Sequence, residues 1–158
     1  MTLQVPIQTA ISFISLQVIK IEFDYKICGV AILPSELKFN LSFSPAIVAE
    51  VDSNKNIEHV FGINFAIEFV ENPSFNKFAV EATALFGSTT PVDDKFLNSD
   101  FAKINAPAIA FPFFRSFIST FSLNAGYSPI ILPAFNFTKA VENHPSEKAV
   151  ESHPSEEA

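Results

Sequence analysis

Residues 18–27, VIKIEFDYKI, alternate apolar with charged positions. Ile19, Ile21, Phe23, Tyr25 and Ile27 share one side, and Lys20, Glu22, Asp24 and Lys26 share the other. A period of two with one charged face predicts a strand half in solvent. Residues 28–36, CGVAILPSE, break the period at Gly29 and Pro34 yet stay apolar, so they read as a packed crossover rather than a polar turn. Alternation returns in 37–43, LKFNLSF, with Leu37, Phe39, Leu41 and Phe43 opposite Lys38, Asn40 and Ser42. Pro45 then predicts a bulge or an edge position, with the strand resuming through Val51 and turning at 52–56, DSNKN. The strongest alternation is in 57–71, IEHVFGINFAIEFVE, where Phe61, Ile63, Phe65, Ile67 and Phe69 oppose Gly62, Asn64, Ala66 and Glu68. NPS (72–74) turns the chain into FNKFAVEATALF (75–86). Short links between alternating runs predict an antiparallel meander.

The pattern then changes. Residues 87–100 read as loop with a short helical piece. From Phe111 the period is helical: Phe114, Phe117, Ile118 and Phe121 fall at i, i+3, i+4 and i+7, beside a narrower polar face of Arg115, Ser116, Ser119 and Thr120. Pro112 is expected in the first helical turn and Gly126 at the C-terminal stop. YSPIILPAFNF (127–137) is extended and held by prolines. Four strands followed by helix predict an α+β fold: a four-stranded antiparallel sheet with one long and one short helix, the helices on one side.

The end of the chain repeats itself. KAVENHPSE (139–147) is followed directly by KAVESHPSE (148–156), differing only at Asn143 against Ser152. A polar nine-residue repeat holding His-Pro buries too little to fold alone. We therefore divide the chain into a folded domain, 1–138, and a mostly disordered, repeat-containing tail, 139–158, with one helical turn at its start.

Composition sharpens this picture. The 158 residues fit one domain with a modest core, yet include 19 Phe, 2 Tyr and no Trp. Phenylalanine carries a large apolar area with no polar atom to satisfy, and the excess over one small core must face a subunit, a ligand or a client. A net charge of −7 argues against nucleic acid and against an anionic membrane surface. One cysteine, Cys28, fits a reducing compartment. No targeting pattern and no unbroken apolar span is read, so a soluble cytoplasmic protein is expected.

Signals for catalysis are missing. The four glycines form no phosphate loop, and there is no G-x-S-x-G elbow. Asp93 and Asp94 sit in a loop, and spacing alone does not make them a catalytic pair. His59, His144 and His153 lack the clustering a metal needs, and Cys28 reads as a structural thiol. We expect no enzyme, no metal and no cofactor.

Four segments carry a family resemblance. AIAFPFFRSFIS (108–119) is similar to the FP-x-x-R helix start of the SecB export chaperones, and NAGYSPIILPAFNF (124–137) to their Gly, then apolar-Pro, then Asn-Phe ending. SELKFNLSF (35–43) and FAVEATALFG (78–87) resemble their second and fourth strands. The order of elements is the family's over roughly residues 15–140. The resemblance implies a SecB-like subunit in a homotetramer, a dimer of dimers, that binds unfolded preproteins without ATP and passes them to a SecA-type motor of the Sec translocation machinery. It implies client contact at Val30, Ile32, Leu33, Leu37, Phe39, Leu41 and Phe43, although the strand row also reads as plain core. It assigns Pro112, Phe114, Arg115, Phe117, Ile118 and Phe121 to a helix of the core and oligomer, with Arg115 facing a carboxylate or a neighbouring subunit. Glu22 and Asp24 would dock the motor, diluted here by Lys20 and Lys26. The double glycine of the family's fourth strand is replaced by Ala82, Thr83 and Ala84. Two alternatives stand beside the export reading: a SecB-like chaperone dedicated to the antitoxin of a toxin–antitoxin system, and a non-enzymatic small-molecule binder. The partners expected are unfolded polypeptides, with neither nucleic acid nor insertion into a membrane.

Overall fold

The computed structural model describes residues 11–26, 37–48, 59–72 and 74–143. Four strands, β1 (Ile11–Tyr25), β2 (Phe39–Val48), β3 (His59–Phe69) and β4 (Phe75–Ser88), form one antiparallel sheet in the order β1-β4-β3-β2. Three helices follow, α1 (Asp94–Leu97), α2 (Ala106–Asn124) and α3 (Phe137–Asn143), and a π-helical turn at Phe101–Asn105 leads into α2. The α+β plan read from the periodicity is the one observed: a four-stranded antiparallel sheet, one long helix and a short one.

β3 and β4 fill the middle of the sheet because their alternation is the cleanest. Phe61, Ile63, Phe65, Ile67 and Phe69 on β3, with Phe78, Val80, Ala82, Ala84 and Phe86 on β4, are all buried. An Asx turn closes their hairpin, the Asn72 Oδ1 accepting the Ser74 N–H at 2.9 Å. On the opposite face Asn64, Glu68, Lys77 and Glu81 remain exposed.

β1 begins earlier than its alternation predicts and does not keep one phase. Its register against β4 slips between Phe13 and Ser15 and again between Val18 and Lys20. Each slip inserts one residue with no partner, Ile14 and then Ile19. Phe13, Leu16, Val18 and Phe23 consequently all pack on the core despite mixed parity. This corrects the reading of Ile19, which does not share the face of Phe23: it is the bulged residue and is 63% exposed.

The start of the long helix also needs correction. Pro112 is not in its first turn; it lies inside α2, and Pro107 takes the place at the N-terminus. The buried ridge is an i, i+4 row of Ala102, Ala106, Ala110, Phe114, Ile118 and Ser122, each with no exposed surface. Small residues at its first three steps let the helix run close to the sheet, a burial that a search for large apolar side chains overlooks. Pro112 is exposed, so its ring faces away from this ridge.

The C-terminus of α2 follows expectation. Gly126 has φ +89°, and the Tyr127 N–H reaches the Ser122 carbonyl at 3.1 Å while the Gly126 N–H reaches Leu123 at 3.0 Å. That is the six-to-one and five-to-two pairing of a Schellman stop, which needs a left-handed residue at Gly126. Residues 128–136 are irregular, as expected of a proline-held connector. α3 begins at Phe137 and runs past the boundary drawn at 138; the rest of the repeat tail, from 144, lies outside the described residues.

Candidate functional site

A cavity of about 600 Å³ opens along β2. Leu41, Ser42, Phe43, Ser44 and Pro45 form one wall. Lys103 from the π-helical turn, Phe135 from the connector, and Ala140, Val141 and Asn143 from α3 form the rest. Its surface is mainly apolar, with Lys103 as the one charge among these residues.

Aromatic rings hold the wall in place. Phe43 meets Phe137 edge-on at 4.9 Å and Phe135 at 6.2 Å, and Phe135 and Phe137 meet at 4.9 Å. Phe111 of α2 sits behind them, 5.4 Å from Phe137. Edge-to-face pairs at such distances stabilise beyond the area they bury. Phe137 is buried, and the Asn136 Oδ1 caps the helix it starts by accepting the Lys139 N–H at 3.0 Å.

β2 is an edge strand: among the described residues it pairs with β3 on one side only. The Lys38 carbonyl accepts from Val70 N–H at 2.9 Å, so the even-numbered residues are the ones bonded to β3. Antiparallel alternation then turns the backbone of Phe39, Leu41, Phe43 and Pro45 toward the open edge. Among the described residues no strand pairs with the N–H and carbonyl groups that Phe39, Leu41 and Phe43 turn to that side. Pro45 has no N–H, and its position on the unbonded side of an edge strand is the one a proline tolerates. The β2–β3 register runs unbroken through Pro45, so of bulge and edge the edge is observed.

The residues singled out from the sequence distribute as follows. Leu37, Phe39, Leu41 and Phe43 are half-buried on the core side, and Leu41 and Phe43 line the groove. Val30, Ile32 and Leu33 lie outside the described residues. Phe114 and Ile118 are fully buried in the core of the chain itself, and Phe117 and Phe121 pack against it. Arg115 meets no carboxylate among the described residues, and its Nε is buried without a hydrogen-bond partner. Glu22 lies between two lysines, 3.2 Å from Lys77 and 3.5 Å from Lys20, and the Lys77 hydrogen bond holds its carboxyl below the ordinary range. Asp24 accepts a hydrogen bond from Asn76 at 3.1 Å.

Sequence reading does not single out Lys103, Phe135, Ala140 and Val141 on the wall facing β2. Asn136 directly before FTKAVE is a helix-start signal that could have placed α3. Nothing in the pattern could have brought that helix beside β2, almost 90 residues away in the chain.

Among the described residues no helix is long and apolar enough to cross a membrane, and no cluster of His, Cys, Asp or Glu could hold a metal.

No known family profile matches the chain. It is 35% identical over 101 residues to an uncharacterised protein of Methanocaldococcus jannaschii, a match covering 61% of this chain and 64% of that one, so just under two thirds of the relative's length is spanned. Its structure is similar to that of a SecB-like chaperone of Mycobacterium tuberculosis in complex with a ChAD peptide from the HigA1 antitoxin, with a TM-score of 0.53, 14% identity, and 80% of this chain and 91% of that one covered. A protein of unknown function from Streptococcus agalactiae aligns at a TM-score of 0.43 and 13% identity, over 79% of this chain and 97% of that one. The fold of this chain, a four-stranded antiparallel sheet carrying a long and a short helix, is SecB-like.

Proposed function

We propose that this protein binds extended segments of unfolded polypeptide without nucleotide, and that its client is a dedicated one of the antitoxin kind. The observation that carries the reading is the open backbone edge of β2 at Phe39, Leu41 and Phe43 beside the groove walled by Phe43 and Phe135. An extended chain laid on that edge gains main-chain hydrogen bonds, and its alternate side chains enter an apolar trough. Burial in the trough is non-directional, at roughly 25 cal/mol per Å², so a segment is held by its apolar spacing more than by its identity.

The fold neighbour from Mycobacterium tuberculosis was solved with an antitoxin peptide, which favours an antitoxin client over a preprotein. The surface expected to dock an export motor supports that role less, because Glu22 is already engaged by Lys20 and Lys77. Delivery to the Sec motor is therefore the second reading. A small-molecule role draws less support from a trough that opens onto a strand edge. Assembly into a tetramer belongs to the same proposal. Ile109, Phe113 and Leu123 leave apolar surface exposed along α2, and the mass in solution by light scattering tests whether it is covered.

The deciding experiment dilutes reduced, unfolded α-lactalbumin into the protein without nucleotide and follows aggregation by light scattering. Suppression near one assembly per client supports the holding function. No suppression at several-fold excess, with no binding of the same client by calorimetry, rules out general holding and leaves a dedicated client or a small-molecule role, which titration with an antitoxin-derived peptide then separates. Suppression that survives Glu22→Gln and Asp24→Asn, with no measurable affinity for the motor, separates the dedicated reading from export.

A further inference from the structure

We propose that the second copy of the repeat, residues 148–152, docks into the β2 groove of its own subunit and covers it when no client is bound. The first copy is already part of that groove: Ala140 and Val141 line it, as does Asn143, the last residue described. The chain thus leaves the described structure at the rim of the cavity, with 15 residues still to come. The first five residues of the next copy, KAVES, differ from KAVEN only at the last position, so Ala149 and Val150 carry the side chains that Ala140 and Val141 present to this surface.

Reach and room are sufficient. Seven residues separate Asn143 from Val150, which spans up to roughly 23 Å when extended. The β2 wall from Leu41 to Pro45 needs roughly 13 Å. About 600 Å³ stays open with the first copy seated, so the second copy can enter without displacing it. Displacement is disfavoured on chemical grounds. Three and two positions before the first KAVE stand Asn136 and Phe137, the cap and the buried anchor of α3, whereas nine positions later stand Pro145 and Ser146.

Charge points the same way. Residues 144–158 hold Glu147, Glu151, Glu156 and Glu157 against Lys148 alone. Lys103 on the groove wall is half-buried and has no ion pair among the described residues. An acidic segment tethered a few residues away is attracted to it, and a short tether raises the local concentration to the millimolar range, where a weak contact is populated.

Competition with client rests on the holding function proposed above; the docking does not. The test therefore reads both, on the full-length protein. Methyl NMR of Leu41 and Val141 without client compares the wild type with the double substitution Ala149→Asp, Val150→Asp. We expect both methyl signals to move, by the same amount at every protein concentration, and the dissociation constant for unfolded α-lactalbumin to fall roughly three- to tenfold. If α-lactalbumin binds neither form while the methyl signals still move, the tail docks and general holding of unfolded chains fails. Unchanged methyl spectra overturn the docking, whatever the client does. Shifts that vanish on dilution overturn it in this form, since the tail would then be reaching a second copy.

Discussion

Phe43 on β2 and Phe137 at the start of α3 meet edge to face at 4.9 Å, and this contact joins the sheet edge to the helix that closes the groove. Phe137 also touches Phe111 and Phe135, so one ring holds three elements together. Phe137→Ala should cost about 3–5 kcal/mol in urea unfolding, the usual penalty for emptying a buried Phe site. Amide exchange in α3 should accelerate with it. A stable variant with unchanged exchange would show that α3 is held elsewhere.

Ser122 is the polar counterpart of that anchor. Its buried hydroxyl donates within α2, to the carbonyls of Ile118 or Ser119, and accepts the Ile130 N–H at 2.9 Å. The bond ties the connector to the helix eight residues behind it. Ser122→Ala leaves the Ile130 N–H buried and unpaired, which should cost about 1–3 kcal/mol by chemical denaturation. Ser122→Thr, which keeps the oxygen, should cost less unless its methyl group clashes.

Pro112 lies inside α2 with its ring in solvent. It supplies no N–H to the helix ladder, and its side chain is exposed. Pro112→Ala should therefore raise stability by about 1–2 kcal/mol, less than the full interior-proline penalty because proline also restrains the unfolded chain. A fall in the thermal midpoint would mean that the restraint Pro112 puts on the unfolded chain outweighs the missing helix hydrogen bond.

Glu22 links stability to pH. The Lys77 hydrogen bond first, then the charges of Lys20 and Lys77, hold its carboxyl below the ordinary value of 4.5. A carboxyl lowered in the folded state contributes stability that is complete above its unfolded pKa and is lost as pH falls through the folded one. The loss should therefore fall below pH 4.5, and Glu22→Gln should flatten that part of the acid limb. The group is exposed, so the effect should be small and should fade in about 0.5 M salt. A limb unchanged by the substitution at low salt would show that the pair contributes nothing.

Leu41 tests the groove without dismantling it, because it is half-buried at the cavity wall. Leu41→Glu places a charge in the trough, and client affinity should fall at least about tenfold, near the cost of one unfavourable interface residue. Unfolding should change by less than for Phe137→Ala. Equal client affinity would move the binding surface away from β2.

The alternation of β3 and β4 was legible because both strands lie mid-sheet with one face on the core. There the period of two and the burial of Phe61 to Phe69 are one constraint. Gly126 was legible for a local reason, since a helix stop needs a residue that accepts positive φ. β1 was legible only in its second half: at the sheet edge its extra residues Ile14 and Ile19 could bulge outward, and the period across them was lost.

The chain by itself determined the strands, their antiparallel links, the helix and its stop, because each is set by neighbours within a few residues. Tertiary structure alone decided where α2 begins, since Ala102, Ala106 and Ala110 carry no periodic signal until a sheet lies against them. It also decided the groove. Leu41 and Val141 stand 100 positions apart, and only the packing of Phe137 against Phe43 sets them on facing walls.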